Sequence, residues 1–227
     1  MRISPFIALS SAAFALALAA PALADDTDTQ AWAAFTGQYR LSGKLTGSAE
    51  FQGRFGDNVG ALRQSIVRPS LGWQAAPKVS LWVGYGRITN HRPGKDQAED
   101  RLWQQVLWNV GPALGGNLTS RSRLEQRWVD GGADAGWRLR HSLKYERPLR
   151  AGGGAALVLW NETFVALNDA DWGARSGLDQ TRNFAGVGLS VTPQTRVEIG
   201  YLNQYINRPG PNDRMNHVAS VSFVARR

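Results

Sequence analysis

The chain contains no cysteine, which excludes a disulfide framework, cysteine-ligated metal sites and a lipid anchor built on an N-terminal thiol. Histidine is almost as scarce, with three residues at positions 91, 141 and 217, none paired at metal-ligand spacing. No metal is therefore expected. Beyond the first two dozen residues no apolar run reaches about 18 residues, so a helical membrane protein is excluded. Phosphate loops, dinucleotide fingerprints and CxxC motifs are missing, and no other signature asks for a cofactor.

What is present begins with an export pattern. Met1-Arg2 supplies a positive start, FIALSSAAFALALAAPALA an apolar run, and Ala22-Leu23-Ala24 a small-x-small cleavage site. Residues 1–24 read as a signal peptide cut between Ala24 and Asp25, leaving residues 25–227 as one domain. The formal net charge of +8 would suit nucleic acid, but the basic residues are spread over every segment of an exported chain, so no nucleic-acid partner is expected. Twenty-five glycines, nine tryptophans and 43% hydrophobic residues describe a β-rich protein with many turns.

Period-two alternation dominates. In LTGSAEFQGRF every odd position from Leu45 to Phe55 is apolar or glycine and every even one is polar. Similar segments follow at about 62–73, 79–88, 101–110, 117–128, 137–149, 155–167, 182–191, 196–206 and 216–224. Short connections such as AAPK and TPQT alternate with longer polar ones such as TNHRPGKDQAED and NDADWGARSGLDQT. One rim of tight turns and one of long loops is the asymmetry of an antiparallel up-and-down transmembrane β-barrel, with short periplasmic turns and longer external loops. Ten strands from Leu45 onward would bring both ends to one rim. The extended stretch AWAAFTGQYRL, within residues 31–44, breaks that parity, by entering the lumen or pairing at the seam, and the expectation stands at ten to twelve strands.

RSRLEQRW (121–128) and WRLRHSLKYE (137–146) place charge at every second position. Joining Trp128 to Trp137 across VDGGADAG sets Arg127 against Arg138, Glu125 against Arg140 and Arg121 against Lys144, all on one face. The opposite face carries Leu124, Leu139 and Leu143 and ends in Trp128 and Trp137, which read as an aromatic girdle. Charge persists on the first face only where it is wet or mutually paired, since an isolated buried ion costs several kcal/mol. A lumen lined by Arg121, Arg123, Glu125, Arg127, Arg138, Arg140, Lys144, Glu146, Glu162, Arg196 and Glu198 meets that condition.

The stretches LWVGYGR, EDRLWQQVLW, SRSRLEQRW, WRLRHSLKYERPL, LWNETFVALND and IGYLNQYINR…DRMNHV together resemble the family known as domain of unknown function 2490, predicted outer-membrane β-barrels of Gram-negative bacteria. The resemblance implies fold and location, with outer-membrane lipid, lipopolysaccharide and the barrel-assembly machinery as partners, and no reaction to carry over.

Catalytic readings find little support in the sequence. His141 and Ser142 fall on opposite faces of one strand, and His91 and His217 lie in or beside long connections. Glu125 and Glu162 would be ringed by arginines and so held charged, against acid–base work. The tryptophans read as interfacial first and sugar-stacking second. The expectation is a non-enzymatic outer-membrane barrel. It is either a narrow anion-preferring pore for small anionic solutes or a closed structural barrel. The alternatives are a lipid- or lipopolysaccharide-modifying enzyme, needing a Ser/His/acid cluster at the lipid-facing rim, and a secreted lipocalin-like carrier with the faces inverted.

Overall fold

Eleven alternating segments become eleven strands. The computed structural model describes residues 26–208 and 213–227; the Ala24–Asp25 cleavage pair lies outside them. The strands are β1 (Asp26–Ser42), β2 (Leu45–Gly56), β3 (Ala61–Ala76), β4 (Val79–Asn90), β5 (Gln97–Ala113), β6 (Gly116–Val129), β7 (Gly136–Pro148), β8 (Ala155–Ala166), β9 (Gly177–Ser190), β10 (Thr195–Ile206) and β11 (Arg214–Arg226), with no helix among the described residues. Each pairs antiparallel with its sequence neighbours, and β1 closes the barrel by running parallel to β11, from Asp26 beside Arg214 to Gln38 beside Arg226.

That seam corrects the expectation that both ends share a rim. With an odd number of strands the first and last run the same way, so Asp26 starts at the long-loop rim and Arg226 ends at the other. A parallel ladder is then what removes the two free edges. The 31–44 segment is thus the seam strand together with the two-residue turn after it. Tight connections at 43–44, 77–78 and 114–115 share the C-terminal rim with 149–154 and 191–194, and the loops 57–60, 91–96, 130–135 and 167–176 share the opposite one with the end of β10 and the start of β11. The loops before β5 and β9 are shorter than their polar composition suggested, because the strands begin at Gln97 and Gly177.

Following cross-strand partners once round the wall from Arg40, through Gly72, Arg123, Phe164 and Arg214, returns to Asp26, fourteen residues further up β1. At about 3.3 Å per residue and about 4.8 Å between strands, that stagger gives a tilt of about 41° and a radius of about 11 Å. A strand of 12 residues, such as β4, then rises about 30 Å along the axis.

A barrel this wide needs large side chains to fill it. Trp32, Trp82, Trp103, Trp160, Phe164 and Phe184 point inward with the arginines, and Trp32, Val158, Phe184, Leu202 and Val218 form a buried apolar cluster against which Trp160 packs. Glycines on the same face make the room. A Cβ on Gly72 would stand 2.5 Å from the Trp82 ring, and one on Gly84 would collide with the Trp103 ring. The outward face is a mostly apolar wall, including Phe35, Phe51, Val67, Leu71, Leu102, Val106, Leu139, Leu159, Val187 and Ile199, all exposed.

Candidate functional site

Side-chain parity along each strand decides what faces the lumen. Arg121, Arg123, Glu125 and Arg127 on β6, Arg138, Arg140, Lys144 and Glu146 on β7, Glu162 on β8, and Arg196 and Glu198 on β10 all project into the interior. The β6–β7 register differs from the expected one by two residues. Glu125 lies opposite Arg138, Arg123 opposite Arg140 and Arg121 opposite Ser142, while Trp137 faces Gln126 rather than Trp128. An even slip leaves every face unchanged, so the alternation alone could not detect it.

The slip sets the geometry of the lattice. Glu125, 1% exposed, accepts from Arg138 Nη2 at 2.6 Å and Arg140 Nη1 at 2.6 Å. Glu162 accepts from Arg121 Nη2 at 2.6 Å and from Arg140 Nη2 at 2.7 Å, so Arg140 bridges the two carboxylates. Arg138 also donates to Asp179 at 2.8 Å. Nearer the C-terminal rim, Lys144 donates to Glu198 at 2.5 Å, and Arg196 spans Glu146 and Glu198. Nearer the loops, Glu99 takes a bidentate pair from Arg101 at 2.7 Å and a third bond from Arg127 at 2.5 Å.

Sequence reasoning missed Arg54, Arg68, Arg101 and Arg182, together with Glu50, Glu99 and Asp179, although the same parity in β2, β3, β5 and β9 carries most of them. It also misassigned many of the tryptophans. Trp73, Trp108, Trp128 and Trp137 face outward, but four others face inward, and two of these, Trp32 and Trp103, serve as cation–π platforms. Arg54 lies 3.8 Å over Trp32, which Arg182 also approaches at 5.0 Å, and Arg123 lies 3.9 Å over Trp103. Arg138, Arg140 and Arg182 all converge on Phe164 at 4.4–5.1 Å. Ring faces hold guanidinium groups with or without a carboxylate, because the ring quadrupole attracts the cation without neutralising it. Arg138 and Arg140 share Phe164 while bonded to Glu125, and Arg54 sits on Trp32 bonded, among the described residues, only to Gln52. Among the described residues, Arg123 Nη1, Arg182 Nε and Arg68 Nε are buried with no hydrogen-bond partner.

These groups open into a vestibule of about 430 Å³ at the long-loop rim, lined by eleven arginines against two carboxylates, Glu99 and Asp179. Trp172 reaches into it from the 167–176 loop and stacks on Arg127 at 4.8 Å. Asp171 fixes that loop by accepting from the backbone N–H groups of Ala133 and Asp134, and these bonds hold its carboxyl below the usual carboxylate range. Below the vestibule the interior is filled, with Phe164 and Glu125 each 1% exposed.

The histidines all sit on or beside the outer wall. His141 meets Ser122 across the strand pair at 3.0 Å, with Ser142 on the opposite face, and His217 meets the Tyr201 hydroxyl at 2.6 Å. His91 stands between Asp96 and Ser65.

An uncharacterized protein of Methylorubrum extorquens is 39% identical over 180 residues, covering 78% of this chain and 79% of its own. Among solved structures, the siderophore receptor PirA of Pseudomonas aeruginosa matches at 17% identity with a TM-score of 0.31, over 74% of this chain and 32% of the receptor, so the chain spans about a third of that protein. The family described as "Protein of unknown function (DUF2490)" matches residues 29–216. The match runs from Thr29 in β1 through β10 to the first three residues of β11, and the chain belongs to DUF2490.

Proposed function

We propose that this protein is an outer-membrane β-barrel of a Gram-negative bacterium, exported by residues 1–24, whose external mouth gathers small anions into an anion-preferring, low-conductance lumen. The observation that carries the reading is the vestibule's eleven arginines against two carboxylates. Fixed charge of one sign in a low-dielectric cavity concentrates counter-ions by tenfold or more. Arg182, held over Trp32 and Phe164, lines the vestibule with an Nε–H that has no partner among the described residues and can meet a phosphate- or carboxylate-sized guest.

Membrane placement rests on the outer wall. Its side chains are mostly apolar, and its polar residues are paired with one another: Gln104 with Gln126, Asn161 with Asn183, Ser122 with His141. In hydrocarbon no water would satisfy them singly. Trp73, Trp108 and Tyr145 toward one end, and Trp128 and Trp137 toward the other, suit the two interfaces of a bilayer. A soluble carrier would need Leu124, Leu139 and Leu143 inside and the arginines outside, the reverse of this arrangement. Lipid and lipopolysaccharide are then the neighbours of the wall, and the barrel-assembly machinery its route of insertion.

Because the interior below the mouth is filled, currents in a planar bilayer should be small. Under a salt gradient the reversal potential should give an anion-over-cation permeability ratio of about ten. A cation-selective reversal potential contradicts the reading.

A further inference from the structure

We infer that Ser65, His91 and Asp96 form a nucleophile–base–acid relay on the outer wall of the barrel, competent to cleave acyl esters of membrane lipids. His91 Nε2 lies 2.8 Å from Ser65 Oγ, and His91 Nδ1 lies 2.9 Å from Asp96 Oδ2. With the Nδ1 proton given to Asp96, Nε2 is left as the acceptor for the serine proton, the order of groups that activates a hydroxyl for attack. The three come from β3 and from the loop after β4, 26 and 5 residues apart in sequence, and the backbone bond from His91 N to Arg63 O at 2.9 Å seats the ring against β3.

The placement names the substrate class. Ser65 lies four residues past the start of β3, about 13 Å along the strand and, at the strand tilt, about 10 Å along the axis from the long-loop rim. It projects outward, with Gly53 as one cross-strand partner and Thr89 as the other. Gly53 leaves an open slot beside the hydroxyl, bordered by the exposed side chains of Phe55 and Leu62, and Val67 continues the apolar wall below. On the other side Arg87 and Tyr85 donate to Asp100, so this sector of wall is polar at the height of the interface and apolar beneath it. A molecule that lays acyl chains on the wall and its ester linkage at Ser65 is a bilayer lipid, whereas a water-soluble ester has no binding surface here.

In the step, Ser65 Oγ bonds to the ester carbonyl carbon while its proton passes to His91 Nε2. The carbon–alkoxy bond breaks, and His91 returns that proton to the departing alcohol. Water, deprotonated by the same imidazole, then releases the fatty acid and restores Ser65. Ester and water are consumed, and acid and alcohol are formed.

The inference shares the outward-facing wall with the reading above but not the anion vestibule, and its test separates the two. The refolded full-length barrel in detergent is treated with a fluorophosphonate probe and analysed by peptide mass. It is then assayed for fatty-acid release from phosphatidylethanolamine vesicles and, separately, from vesicles containing lipopolysaccharide, which tells the two ester sources apart. Expected are adduct formation at Ser65, its loss in Ser65→Ala, and a fall of about 100-fold or more in labelling rate in His91→Gln. Asp96→Asn should show a fall of at least about tenfold, with each variant's fold checked by heat-modifiable gel mobility. Ser65→Ala should leave the reversal potential of the bilayer recording unchanged. Absence of an adduct at Ser65 in the folded wild-type barrel overturns the inference, as does equal labelling in folded His91→Gln.

Discussion

Glu125→Ala is expected to destabilise the folded barrel by about 3–5 kcal/mol, because it strips Arg138 and Arg140 of a shared carboxylate and leaves a cavity in their midst. Two buried guanidinium groups would then lean on Glu162 and Asp179 alone. Glu125→Gln keeps the shape and removes the charge, so it should lie between the wild type and the alanine variant. Urea unfolding of the refolded protein, followed by tryptophan fluorescence, measures the difference. A change under about 1 kcal/mol for the alanine variant would mean that the ion pairs are dispensable filling, as exposed pairs are.

A second large effect is expected from adding a three-carbon side chain on the same face. Gly84→Val places its Cβ in the Trp103 ring and 2.8 Å from the Pro69 carbonyl oxygen, so the ring must leave its seat under Arg123. Overpacking of this kind costs about 1–3 kcal/mol, and the lost stacking adds to it. The double variant Gly84→Val with Trp103→Leu should recover part of the loss, giving a positive coupling in a mutant cycle. Independent, additive losses would show that the two residues do not share the space.

The faces of the wall were legible in the sequence because its two sides have opposite tastes. A period of two that carries Arg121, Arg123, Glu125 and Arg127 on one side and Leu124 on the other leaves one way to turn the strand. Strand positions were legible for the same reason, as with β4, expected at 79–88 and observed as Val79–Asn90. The β6–β7 register was not, since slipping by two residues preserves every face and only the turn geometry distinguishes the alternatives. Nor was the strand count. β1 carries a weaker alternation, and its partner β11 lies at the far end of the chain, so that pairing is a property of closure rather than of local pattern. The inward tryptophans were hidden by the habit of assigning tryptophan to the interface. Their parity, shared with Gly84 and Gly86 in the case of Trp82, was the available signal. Ser65, His91 and Asp96 could not be joined without the β3–β4 register.

The central claim is that charge lies inside the wall and lipid outside it. The absence of native cysteine makes single-cysteine spin labels clean reporters. Labels at Leu102→Cys, Leu139→Cys and Val187→Cys, on the exposed apolar face, are compared in bilayers with labels at Ser70→Cys and Ser142→Cys, which point inward. The first three should be relaxed by oxygen dissolved in the acyl chains, and the last two should be shielded from it. Oxygen accessibility at Ser70 and Ser142 equal to that at Leu139, with Leu139 open to a water-borne nickel chelate, would contradict the account.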